Sequence, residues 1–196
     1  MTRRVISYAE RVSRWQPNPR ARLERAALEL FLEQGYGATT VPEITARAEL
    51  TTRTFFRHFP DKREVLFSLE EELPSVVRST MSDAPADATP MEVIAHALDI
   101  VATTRLSEHR DYLRVRRSVV NSDDGLRERE MRKNSVLVDA ATAGFRERGL
   151  GELEATVSAQ IAITVFTVAV DRWLDDPRPL TEHLAEAIAS VRGSTR

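Results

Sequence analysis

The chain has 196 residues, a formal net charge of −2, 42% hydrophobic and 30% charged residues, 7 glycines and no cysteine. This composition suits a globular chain of one ordinary or two small domains with a real core, and argues against disorder and against a turn-rich all-β architecture. Lack of cysteine excludes disulfides, a thiol nucleophile, cysteine-ligated zinc and Fe–S clusters, and fits a reducing cytosol. The balance is uneven along the chain: residues 1–63 hold 12 Lys+Arg against 7 Asp+Glu, net +5, whereas the rest hold 16 against 23, net −7. A basic front on an acidic body suggests two parts that meet different partners.

Proline and glycine divide the chain into stretches with helical spacing, and no segment alternates with period two. Residues 1–17 read as a basic N-terminal arm carrying Arg3, Arg4, Arg11 and Arg14, either a minor-groove or backbone reader or a solubilising tail. A first helix starts near Asn18 with Pro19 in its first turn, carries an apolar stripe of Leu23, Ala26, Ala27, Leu30 and Phe31, and ends at Gly35. A short second helix runs from about Thr40, its N-cap, to Arg47. A third runs from Thr51 to about Phe59, where Pro60 stops it. A longer fourth is expected from Asp61, kinked at Pro74. After the loop at 82–89, Thr89-Pro90-Met91-Glu92 matches a capping box that opens a fifth. Further helices fit about 107–120, 124–148, 152–175 and 180–192. The expectation is an all-α chain of about nine helices, a three-helix front unit followed by a larger bundle.

Helices two and three, joined by about three residues, have helix-turn-helix spacing. Neither is long enough to be stable alone. At about 100° per residue, Phe55 and Phe59 face the core with His58 beside them. Thr52, Arg53, Phe56 and Arg57 fall on the opposite side. Arginine can donate two hydrogen bonds to guanine O6 and N7, and a threonine methyl or a phenyl ring can pack on a thymine methyl. Thr40, Thr51 and Lys62 are candidates for phosphate through hydroxyls, helix N–H groups and charge. The plainer alternative places both Phe55 and Phe56 in the core and leaves Arg53 and Arg57 as a solvated face.

The stretch Arg25-Ala26-Ala27-Leu28-Glu29-Leu30-Phe31-Leu32-Glu33-Gln34-Gly35-Tyr36, then Thr39-Thr40-Val41-Pro42-Glu43-Ile44, then Thr54-Phe55-Phe56-Arg57-His58-Phe59-Pro60-Asp61-Lys62 resembles the DNA-binding domain of the tetracycline-repressor (TetR) family of bacterial transcriptional regulators. The resemblance covers residues 20–67. It implies that Thr40, His58 and Lys62 match phosphate-contacting positions, and that Thr52, Arg53, Phe56 and Arg57 approach bases. Three residues depart from the family pattern. Glu49 stands where the turn usually has glycine, Phe56 replaces a tyrosine and loses its hydroxyl, and Arg53 replaces a glycine and adds reach. A left-handed backbone at Glu49 would cost roughly 1 kcal/mol or more.

The resemblance assigns residues 18–63 to a helix-turn-helix domain and 64–196 to a ligand-binding and dimerisation domain. Ala159, Ile161, Ala162, Val165, Phe166, Val168 and Ala169 make the eighth helix apolar on more than one face. Leu184, Ala187, Ile188 and Val191 give the ninth a single stripe. These two either form a homodimer interface, as the family implies, or close the monomer's own core. His96, Asp99, Tyr112, Asn134, Gln160, Thr164 and Trp173 are candidate contacts for a small-molecule effector. Arg110, Arg114 and Arg117 share a helical face, which either binds an anionic ligand or is a solvated or interdomain face paired with the acids Glu70, Glu71 and Glu72.

No His-Glu-x-x-His, Gly-x-Ser-x-Gly or phosphate loop is present, so no catalytic residue, metal or cofactor is expected. The longest nearly apolar run, Ile161–Val170, is half of the roughly 20 residues a membrane span needs, and the N-terminus lacks a signal-peptide stretch. The sequence is therefore read as a cytoplasmic, sequence-specific DNA-binding regulator. It is expected to be a homodimeric repressor on a palindromic operator, released by a small molecule. The competing reading is a helical ligand-binding or protein-interaction module without specific DNA binding.

Overall fold

The computed structural model describes residues 18–70 and 72–194, and the expected N-terminal arm with Arg3, Arg4, Arg11 and Arg14 lies outside them. The described residues form nine α-helices and no strand: α1 Pro19–Gln34, α2 Val41–Arg47, α3 Thr52–His58, α4 Leu73–Asp83, α5 Pro90–Val101, α6 Arg110–Asn121, α7 Asp124–Glu147, α8 Glu152–Asp175 and α9 Leu180–Ser194. They fall into two compact units. Among the described residues, one is built from 18–68 together with Arg114–Leu126, the other from those of 69–113 and 127–194.

Helix boundaries follow local chemistry. The Asn18 side chain accepts from Ala21 N at 2.9 Å with Pro19 just behind it. Gly35 closes α1 at φ +88°, a conformation that costs residues with a Cβ. Thr40 with Glu43, and Thr89 with Glu92, form reciprocal capping boxes, each satisfying two otherwise orphaned N–H groups. Asp123 Oδ1 accepts from Leu126 N at 3.0 Å and opens α7.

One expectation about the helices is corrected. The fourth helix does not run through Pro74: a 3₁₀ helix covers Arg63–Glu70, and Pro74 sits in the first turn of the separate α4, where its missing N–H is harmless. Between α5 and α6 the chain stays helical, through a π segment at Ala102–Leu106 and a 3₁₀ turn at Ser107–His109. The Thr103 and Thr104 hydroxyls donate to the carbonyls of Asp99 (2.8 Å) and Ile100 (2.7 Å), and such back-bonding loosens the helical ladder.

In the first unit the α1 stripe, Leu23, Ala26, Ala27, Leu30 and Phe31, is buried as its spacing predicts. It meets α2 and α3. The buried Arg116 belongs to this unit too; its Nε donates to Leu66 O at 2.7 Å, and its guanidinium lies 4.7 Å from the Phe67 ring centroid. In the second unit α8 packs on α5 and α9, and α4 on α5. Their core includes Val93, Val101, Phe145, Ala159, Ala169, Leu184 and Ile188. By length and composition α8 could cross a membrane, but its Ala155, Ala159, Ala162, Val165, Ala169 and Trp173 are buried within this helical core. Two arginines cap helix ends in this unit. Arg148 donates to the carbonyls of Met81, Ala84 and Pro85. Arg110 donates to Trp173 O (3.0 Å) and Leu174 O (3.4 Å), not to the expected acids; Glu72 pairs with Arg105 instead.

The capping carboxyls of Glu43 and Glu92 are held below the ordinary 4.5, first by the threonine hydroxyl and then by the backbone N–H that bond their charged form. A folded value below the unfolded one gives stability that is present above the unfolded value and is lost as pH falls through the folded value. The variants E43Q and E92Q should therefore be less stable than the parent at pH 7, with the difference shrinking below pH 4.5; urea unfolding across pH 3–7 measures it, a flat difference being the contrary result.

Candidate nucleic-acid interface

The third helix has only 7 residues, so its direction is imposed by what it buries. Phe55 is 0% exposed and Phe59 2%, with ring centroids 5.5 Å apart. Phe56 stacks edge-on to Phe55 yet remains 58% exposed. Thr51, Thr52, Arg53 and Arg57 are also exposed. Burial of Phe55 and Phe59 thus turns Thr52, Arg53, Phe56 and Arg57 outward as one face, the arrangement that the helical spacing predicts. Elsewhere in this unit arginines are tied to carboxylates, as in Arg20–Glu24, Arg25–Glu29, Arg47–Glu33 and Arg63–Asp61. No such ion pair engages Arg53 or Arg57 among the described residues.

The turn that launches α3 is compact. Leu50 N donates to Thr45 O (2.8 Å) and Glu49 N to Ala46 O (3.1 Å), the paired bonds of a helix end whose next residue is left-handed. That residue is Glu49, at φ 53°, the one non-glycine with positive φ among the described residues. The strain expected from the missing glycine is present, and the turn keeps its form. Thr51 then caps α3, accepting from Thr54 N at 3.2 Å.

The four phosphate candidates differ in what they have free. Thr51 Oγ1 is exposed and shares one hydrogen bond with Thr54 Oγ1 at 3.0 Å; when Thr54 donates, the Thr51 proton is available to an anion. Thr40 Oγ1 donates to Glu43 Oε2 at 2.7 Å. The His58 ring is half-buried and its Nε2 is buried without a hydrogen-bond partner. Lys62 has a role the spacing did not reveal. Its Nζ donates to Tyr36 O and Thr39 O, both at 2.6 Å, and lies 4.1 Å from the Tyr36 ring centroid. Burial holds this lysine below its ordinary pKa and raises the Tyr36 phenol to about 12. An ammonium has three donors, so one N–H of Lys62 remains. No regular interval in the sequence links residue 62 with residues 36 and 39, because only the closed three-helix unit brings them together. Arg47 is a second strut, donating to both Glu33 oxygens at 3.0 and 2.7 Å.

The family model described as bacterial regulatory proteins of the tetR family matches residues 24–69, the segment that carries this whole arrangement. Residues 24–69 are a tetR-family domain. The transcriptional regulator TcmR of Streptomyces glaucescens is 39% identical over 82 residues, 42% of this chain, but the match spans only 36% of TcmR. The regulator HbdR of Aromatoleum sp. is 28% identical over 93% of this chain and 86% of its own. Among solved structures, the TetR-family repressor FadR of Thermus thermophilus, in complex with lauroyl-CoA, superposes with a TM-score of 0.54 at 26% identity over 87% of this chain and 91% of its own. A Pseudomonas aeruginosa transcriptional regulator reaches 0.63 at 16% identity, over 95% of both chains, and shows the shared fold.

Outside this TetR-type unit, the candidate effector contacts separate by exposure. Tyr112 and Trp173 are buried, His96 and Asn134 half-buried, and Asp99, Gln160 and Thr164 exposed. His96 Nε2 is buried with no hydrogen-bond partner.

Replacing Lys62 by methionine keeps the stem and removes the ammonium that ties down the Tyr36–Thr39 loop. A hydrogen bond to a charged group contributes about 1.5–3 kcal/mol net, so K62M should cost on the order of 1.5–3 kcal/mol in urea unfolding. Unchanged stability would show that the contact is idle.

Proposed function

We propose that this chain is a homodimeric, sequence-specific DNA-binding repressor released by a small-molecule effector. One observation carries the reading: on a two-turn helix set behind a tight turn, two buried phenylalanines oppose an exposed face of Thr52, Arg53, Phe56 and Arg57. That face supplies what major-groove readout requires. Arg53 and Arg57 can each bond guanine O6 and N7, and Phe56 and Thr52 can pack on thymine methyls. Thr40, Thr51, His58 and Lys62 surround it and are assigned to backbone phosphates, with Thr51 and the third N–H of Lys62 freest to act. As a regulator of bacterial DNA the protein works in the cytoplasm, and the regulatory role needs no catalytic group.

One such helix reads few bases. Two of them, about 34–36 Å apart, read a palindrome. Support for a homodimer comes from α8 and α9. Leu153, Val157 and Val168 are 79%, 49% and 45% exposed and share a face of α8 with the exposed Gln160 and Thr164. Ala185, Ala189 and Gly193 form an exposed strip of small residues on α9. Exposed apolar faces of this kind mark association sites, and small residues permit close helix approach. The stripe of Leu184 and Ile188, by contrast, closes the chain's own core.

The effector is assigned to the larger unit, with His96, Tyr112, Asn134 and Trp173 as its contacts; Asp99, Gln160 and Thr164 belong to the outer surface. An effector shifts DNA binding only by its different affinity for the bound and released forms. FadR, with lauroyl-CoA, shows that a relative of this fold takes a small molecule.

Selection from a random duplex pool should yield a palindrome, bound with an affinity that falls steeply with salt. R53A should relax preference at one base pair per half-site by about 1–3 kcal/mol. No sequence-selective binding at low salt would instead favour the helical interaction module. For the assembly, V157E should convert the dimer to monomer in sedimentation velocity at micromolar concentration and weaken operator binding in parallel; an intact V157E dimer would place the interface elsewhere.

A further inference from the structure

We propose that Arg22 is the residue that holds the helix-turn-helix turn in register, taking the place of the glycine that position 49 lacks, and is thereby a positioning residue for DNA recognition. The proposal rests on the DNA-binding reading above and adds a residue that no motif singles out.

The last turn of α2 leaves one acceptor that its own paired bonds do not use. Thr45 O takes Leu50 N and Ala46 O takes Glu49 N. The carbonyl of Ala48, at the helix end, instead accepts from Arg22 Nη2 at 2.5 Å. The same Nη2 lies 3.5 Å from Glu49 Oε2. Arg22 stands on α1, 26 positions away along the chain, so α1 grips the turn through this one guanidinium.

A left-handed residue with a Cβ is a poor choice unless the surroundings over-determine it. At Glu49 they do. The buried Ala48 and the arginine fix the peptide group on its N-terminal side, and the carboxylate is drawn toward the same cation. Thr51 and α3 follow within two residues. A turn that relaxed toward φ < 0 would swing Arg53 and Arg57 relative to the rest of the unit. Glycine at 49 would need no such grip, because it takes the left-handed form without steric cost. Arg22 and Glu49 are therefore coupled: the arginine matters because the glycine is absent.

Four proteins test this, the parent, R22A, E49G and R22A/E49G, with R22K as a charge control and circular dichroism to verify folding. Affinity is read by fluorescence anisotropy on the duplex that the parent selects and on a scrambled duplex. R22A should weaken binding of the selected duplex about tenfold or more and of the scrambled one about threefold or less, since a charge lost from the phosphate field would weaken both alike. R22K should resemble R22A, because an ammonium lacks the planar reach of the fork. R22A/E49G should return to within about threefold of E49G. Parent-like binding by R22A, or a double variant no tighter than R22A, overturns the proposal. If the parent selects no duplex, the DNA-binding reading fails, and urea midpoints of the same four proteins decide the turn's role. The drop caused by R22A should shrink by half or more in the E49G background, and equal drops in both backgrounds overturn it.

Discussion

Burial of Phe55 and Phe59 on one side of α3 is the constraint from which the rest of the interface follows. A 7-residue helix is too short to persist by its own hydrogen bonds. It exists because two aromatic rings one turn apart are removed from water against α1 and α2, each ring worth a few kcal/mol of transfer free energy. Once those positions point inward, helical geometry leaves no freedom for the rest. Thr52, Arg53, Phe56 and Arg57 must face out, and an aromatic ring remains 58% exposed on the surface.

Around this anchor the small unit spends its charges on internal struts. Lys62, Arg22 and Arg47 reach carbonyls or carboxylates across the three helices, which fixes loops that hydrophobic contacts alone would leave loose. Among the described residues, Arg53 and Arg57, on the outward face of α3, have no ion pair within the unit. The division is what a DNA reader needs: a rigid scaffold with a few extended, fully charged donors in a fixed direction.

The larger unit follows a different rule. Its helices are long, its core is made of aliphatic side chains with Trp173 and Phe145, and its helix ends are closed by arginines from distant segments. The π segment at Ala102–Leu106 interrupts an otherwise continuous helical stretch, and threonine hydroxyls that compete for backbone carbonyls account for it. Apolar residues left exposed along α8 are the surface that a second copy would cover, in keeping with the dimeric reading.

Local rules made most elements legible from residues alone. Caps at Asn18, Thr40, Thr51 and Thr89 and the stops at Gly35 and Pro60 lie where short-range chemistry puts them, because each depends on atoms within four positions. The apolar and exposed faces of α3 were legible for the same reason. Pro74 misled, since a proline can kink a helix or open one, and neighbours in sequence do not distinguish the two. Glu49 was legible as a departure from the family pattern, though not the response to it. What tertiary structure alone decided was the set of contacts between distant positions: Lys62 on the Tyr36–Thr39 loop, Arg22 on Ala48 and Arg110 on the end of α8. Long, flexible cations can reach many carbonyls in an unfolded chain, and their partners are chosen only when hydrophobic packing has brought the helices together.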